Sequence, residues 1–135
     1  MKAKKVMALV LCAAMVSGLA ATTVMAAPED QFEGLTANEA YEFPMMVKSF
    51  QATYWEAAMK GMDKAAEELG VTYTAQGPNS ESDIADQVNM LNNAINQAPD
   101  GIALAACDQN SVIESLQTAL DKGIPVVCFD SGVPD

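Results

Sequence analysis

From position 43 the sequence alternates short apolar runs with longer stretches in which apolar residues recur every three or four positions, and no other feature restricts the fold as strongly. Strands joined by helix-length connections run parallel, because each helix carries the chain back to the end of the sheet where it started. Residues 43–47 are the first apolar run, with Pro44 near its start, where a missing N–H disturbs a ladder least. Thr53 with Glu56 spells a capping box, and Tyr54, Ala58, Met62, Ala65 and Leu69 form the stripe of a first helix that Gly70 stops. Residues 71–76 suit a second strand, followed by the polar turn at 77–80. Ser82 or Asp83 caps a second helix, whose stripe is Ile84, Val88, Leu91 and Ile95, before Pro99-Asp100-Gly101 ends it. Residues 102–106 are a third strand. Asn110, or Ser111 paired with Glu114, caps a third helix that turns Val112, Leu116, Ala119 and Leu120 inward and closes at Gly123. The unbroken apolar run at 124–129 is a fourth strand, predicted to be buried on both faces.

Right-handed crossovers in the common doubly wound order place these strands 2-1-3-4, with the first helix on one face and the other two opposite. One face is then half bare, and the fourth strand is an edge without a protecting charge within 124–129. The fold class expected is therefore α/β, a parallel sheet with flanking helices in a Rossmann-like lobe, truncated after the fourth strand. That reading is preferred to a complete small flavodoxin-like domain.

Ahead of the lobe, Lys2, Lys4 and Lys5 precede an apolar run, and Val24-Met25-Ala26 supplies the small residues that a signal peptidase reads. Residues 1–26 are expected to be an export signal cut after Ala26, since a cut after Ala27 would place Pro28 directly behind the scissile bond. Ser17, Gly18, Thr22 and Thr23 break the run before it reaches membrane-spanning length. Leu11 ahead of Cys12 is too large for lipid attachment, so the exported chain is read as not lipidated. Residues 27–42 lack a sustained period and read as a mobile leader, leaving 43–135 as the partial lobe.

The net charge of −11, with all 18 acidic residues beyond Ala26, argues against nucleic acid as a partner. Histidine is absent and all seven basic residues are lysines, which removes His-based catalysis, His-ligated metals and bidentate arginine recognition. No Gly-x-Gly-x-x-Gly or P-loop occurs at a strand-to-helix turn, so no nucleotide cofactor is expected, nor any other cofactor or metal. Met45, Met46, Met59, Met62 and Met90 read as packing. Cys107 and Cys128 fall on neighbouring strands but offset along them, and are expected to be two buried thiols rather than a disulfide.

Ligands in such sheets bind beyond the carboxyl ends of the strands, near the switch between strands 1 and 3. That picks out Ser49, Phe50, Gln51, Tyr54 and Trp55 after strand 1, Cys107 and Asp108 after strand 3, and Asp130 and Ser131 after strand 4. Aromatic rings beside a carboxylate suit a sugar, which offers C–H faces to stack and hydroxyls to donate. Tyr54 and Trp55 are adjacent, so both cannot face the core and at least one is free for a ligand. Asp130 fits either a ligand contact or a turn cap, and Asp108 reads first as a residue bonding the loop before the third helix. The two aspartates as a glycosidase pair are a weak alternative without cleft or neighbouring base.

Taken together, Val47-Lys48-Ser49 before Tyr54-Trp55, the helix 58–70 with Gly61 and Ala65-Ala66, Asp83 with Gln87, Pro99-Asp100-Gly101-Ile102, the strand end 105–108 and Gly123-Ile124-Pro125-Val126-Val127 into Phe129-Asp130-Ser131 resemble one family. The segment from Phe43 to Asp135 is similar to the amino-terminal lobe of periplasmic binding proteins of the ribose-binding type, the substrate-binding components of ATP-binding cassette sugar importers. The resemblance implies that Tyr54 and Trp55 stack on a sugar, that Asp130 binds its hydroxyls and that Ser49 lies nearby. Ribose binders carry an asparagine two residues before the first aromatic and an arginine after the aspartate, where this chain has Ala52 and Ser131, so the sugar implied is not ribose in particular. It also implies a second lobe, a membrane permease as partner and no catalysis. A sensor domain serving a chemotaxis receptor or kinase is the alternative, and a carbohydrate-active enzyme a third.

Overall fold

A computed structural model describes residues 34–134. The expected signal at 1–26, with Cys12, and residues 27–33 of the leader lie outside the described residues. The elements follow in the order β1 (Glu42–Met46), α1 (Thr53–Leu69), β2 (Thr72–Gln76), α2 (Ile84–Asn96), β3 (Ile102–Leu104), α3 (Ile113–Asp121) and β4 (Val126–Cys128). The four strands form one sheet in the order β2-β1-β3-β4, parallel throughout, as the alternation predicts. No helix among the described residues is long and apolar enough to cross a membrane.

The pleat sorts the side chains into two layers. Met46, Ile102, Leu104 and Ala106 pack with Leu91, Ala94 and Ile95 of α2 and Ala119 of α3. Met45, Val47, Ala103 and Ala105 turn the other way and pack with Trp55, Ala58 and Met62 of α1. The register that pairs Met45 with Ala103 and Met46 with Leu104 keeps each layer continuous across the two central strands. The methionines of β1 are core, as expected.

Several local expectations are corrected. Thr53 is the first helical residue of α1 rather than its cap, and Ala52 holds the cap position without a side-chain bond, so the Thr53–Glu56 box does not form. The stripe of α1 begins at buried Trp55, while Tyr54 is 55% exposed and belongs to the surface. Asp83 stands at the cap position of α2, but its carboxylate reaches back to accept from the Ser80 N–H at 3.1 Å. Val112 holds the cap position of α3, and Leu120 of that helix is exposed rather than inward.

The fourth strand is not buried on both faces. Val127 is 68% exposed because among the described residues only the α3 side of β4 is covered, and Cys128, on the same face as Val126, is exposed as well. The half-bare face appears as an apolar groove of about 430 Å³ beside α1, lined by residues such as Leu35, Phe43, Leu69, Tyr73 and Val127. The Ala37 N–H donates to the Leu69 carbonyl at 2.7 Å, and Thr72 N–H donates to the Tyr41 carbonyl at 3.0 Å, so the chain is tied to the lobe before Phe43.

Candidate functional site at the carboxyl ends of the strands

The last backbone bridge between β1 and β3 runs from Ala105 N–H to the Met46 carbonyl at 2.8 Å. Beyond it the two strands part, with Lys48 and Ser49 leaving one and Cys107 and Asp108 the other. A topological switch point opens this way because consecutive helices cross to opposite faces of the sheet. On the neighbouring strand, β4 ends at Cys128 and the chain continues into Phe129 and Asp130.

Asp130 carries the unusual backbone. Its φ of 59° is left-handed, and Ser131 N–H reaches back to the Phe129 carbonyl at 2.6 Å, closing a tight turn with Asp130 at its centre. Asp tolerates this region better than most residues, since its short side chain bonds locally, but the conformation still costs energy. What the turn achieves is an ion pair: Lys48 Nζ lies 2.8 Å from Asp130 Oδ2. The bond from Lys48 holds the Asp130 carboxyl below the usual range, with help from Tyr54 and Ser131 and against partial desolvation. Hydrogen bonding toward the same carboxylate pushes the Tyr54 phenol up. Tyr54, Lys48 and Asp130 thus converge from α1, β1 and β4.

Trp55 sits behind them. Only 2% of it is exposed, so its ring offers no face to a ligand. It meets Tyr54 edge-on at 4.8 Å and Phe129 at 6.3 Å between ring centroids, and its indole N–H donates to Glu81 Oε1 at 3.2 Å. The indole therefore backs the exposed Tyr54 ring and leaves the surface position to it.

The remaining candidates divide. Ser49 is buried, its Oγ accepting from Gln51 N–H at 3.4 Å. Asp108 is engaged in its own loop, Oδ1 accepting from Asn110 N–H, Ser111 N–H and Ser111 Oγ–H at 3.1, 2.8 and 2.7 Å. The Ser111 bonds keep its carboxyl below the ordinary value. This is the loop role read from sequence, and it replaces the expected Ser111–Glu114 box. Cys107 is half-buried, its thiol donating to the Lys48 carbonyl at 3.6 Å and pushed up by desolvation, while Cys128 is exposed rather than buried; both are free thiols. Lys48 was missed as a site residue. The available signal was its position between Val47 and Ser49, where strand 1 ends, as the only cation near the predicted rim.

The apolar groove lies at the opposite end, where the strands begin, and its lining has almost no polar groups to receive hydroxyls. The strand-end cluster, in contrast, presents an aromatic face beside paired opposite charges. Such a surface stacks on C–H faces and both donates to and accepts from hydroxyl groups.

Residues 43–135 match the family model described as periplasmic binding protein domain. The D-allose-binding periplasmic protein of Escherichia coli is 26% identical over 98 residues, covering 73% of this chain and 32% of that protein. Among solved structures, an ABC transporter solute binding protein from Agrobacterium vitis with bound D-fucose is 40% identical with a TM-score of 0.68, over 70% of this chain and 33% of that one. A sugar-binding protein of a sugar ABC transporter from Bacillus halodurans is 38% identical with a TM-score of 0.61, over 73% of this chain and 33% of that one. The chain thus spans about a third of the length of these relatives. With the predicted strand order in place and the family match running from Phe43 to the last residue, the chain belongs to the periplasmic binding protein domain family.

Proposed function

We propose that this chain is the sugar-contacting amino-terminal lobe of a solute-binding protein that delivers a sugar or related polyol to the permease of an ATP-binding cassette importer. The observation that carries the reading is the exposed Tyr54 ring converging with the Lys48–Asp130 pair at the carboxyl ends of the strands. In it Tyr54 stacks on the sugar, Asp130 accepts from its hydroxyls, Lys48 donates to them, Ser49 shapes the floor and buried Trp55 holds Tyr54 in place. Asp108 supports the rim through its loop. The bound D-fucose of one relative and the D-allose named for another support a monosaccharide as the ligand class. Export to the periplasm or exterior, with the segment 1–26 removed, follows from the basic-then-apolar start and is supported by the periplasmic relatives. The relatives bind solutes, and the chemistry proposed here is binding without turnover.

Trp55 is the single tryptophan and touches Tyr54, so its emission reports ligand directly. Titrating the chain with D-fucose, D-allose and other monosaccharides, with amino acids as controls, is expected to change that emission saturably for a sugar alone. Saturation by an amino acid and by no sugar would overturn the reading.

A further inference from the structure

Where β1 and β3 part, three backbone groups lose their ladder partners, two of them carbonyls of buried residues and the third the N–H of half-buried Cys107. One side chain from α2 meets all of them. Gln87, 1% exposed, donates through Nε2 to the Val47 carbonyl at 3.1 Å and the Ala105 carbonyl at 2.9 Å, and its Oε1 accepts from Cys107 N–H at 2.8 Å. Two donors and one acceptor is what a peptide group and its neighbour would supply in a continued ladder, and a primary amide is the one side-chain group that offers both. Every buried side-chain nitrogen and oxygen among the described residues has a partner, so the splice is complete.

Val47 is held from a second side. A Cβ on Gly77 would come within 2.8 Å of both Val47 Cγ2 and the Val47 carbonyl oxygen, so the β2–α2 turn is already in contact with that residue. Lys48 follows directly and its carbonyl receives the Cys107 thiol, which joins the two strand ends once more. The backbone feeding Lys48 and Ser49 on one strand and Asp108 on the other is therefore bridged by one buried amide, with the Gly77 contact and the Cys107 thiol beside it.

We propose that Gln87 is a positioning residue for the binding end of the sheet, its side-chain amide standing in for a peptide group between β1 and β3 and so aligning Lys48 with Asp130. The role rests on the sugar-binding reading for its ligand but not for its geometry. Gln87→Met keeps the length of the side chain and removes all three hydrogen bonds. Leu91→Ala, one turn along α2 in the same core layer, lowers stability without touching a polar group at the strand ends.

In the full 135-residue chain, Gln87→Met is expected to weaken D-fucose binding at least tenfold and to move the Asp130 carboxyl titration, followed by carbon NMR, back toward an ordinary aspartate. Leu91→Ala is expected to change neither. Equal effects of the two variants, or an unmoved Asp130 titration in Gln87→Met, would overturn the proposal. Should Gln87→Met fail to fold, the Gln87 side-chain amide resonances of the unsubstituted chain decide: they are expected to shift as Asp130 titrates, and indifference overturns the role. If the unsubstituted chain binds no D-fucose, the Asp130 titration still tests Gln87, and the sugar reading is tested separately by the other monosaccharides and the amino-acid controls.

Discussion

Asp130 concentrates the functional argument in one side chain, strained at its own backbone and bonded to a lysine from another strand. Its substitution by Asn is expected to weaken sugar binding at least tenfold, read by the Trp55 emission titration. Stability should fall by no more than about 1 kcal/mol in urea unfolding, because a partly exposed pair contributes little. A large loss of stability with unchanged binding would make the residue a turn cap. The pH dependence follows from the direction of the shift. Because the folded state lowers the Asp130 carboxyl, it binds fewer protons than the unfolded state between the two pKa values. The contribution is thus fully present above the unfolded value of about 4 and is lost as pH falls through the folded one. Asp108 is shifted the same way by its Ser111 bonds and adds in the same direction. Acid unfolding curves should be flatter in Asp130→Asn than in the parent chain. Most of this was legible only in part: the sequence placed Asp130 and Tyr54 at the rim, but not Lys48 as the partner that joins them.

At the scale of elements, α1 illustrates how a local pattern and a tertiary demand compete. Either Tyr54 or Trp55 fits the spacing of the stripe, and the larger, more apolar ring took the core. Trp55→Ala is expected to cost about 3–5 kcal/mol by urea unfolding, the range for a deleted buried aromatic. A loss below 1 kcal/mol would place the indole outside the core. Capping boxes failed at α1 and α3 for a related reason: the residues were present, but the incoming loops set Ala52 and Val112 at the cap positions. Glycine stops succeeded at Gly70 and Gly123, whose φ values of 70° and 73° need no Cβ-bearing residue to be strained. Helix α2 lacks that device, and Ala98 takes the left-handed position after it with a φ of 52°. Ala98→Gly is therefore expected to stabilise the chain by about 1 kcal/mol, visible as a higher melting temperature. An unchanged or lower melting temperature would count against strain at that residue.

At the scale of the whole molecule, two helices among the described residues cover one face of the sheet and one covers the other, which leaves the groove beside α1 and the exposed face of Val127. The 135-residue chain is expected to bind a hydrophobic dye and to self-associate with rising concentration; a monomer without dye binding would show that surface to be covered. The sequence by itself determined the β-α alternation, the strand order and the division of helices between faces, because periodicity and crossover handedness are properties of local chain geometry. It also determined the end of the sheet at which chemistry-bearing residues gather. Only the tertiary structure decided which of two adjacent aromatics is buried and that Lys48, Tyr54 and Asp130 meet. Those outcomes depend on distances between strands that no spacing along the chain encodes, and on a left-handed turn and a buried glutamine amide that hold the strand ends in place.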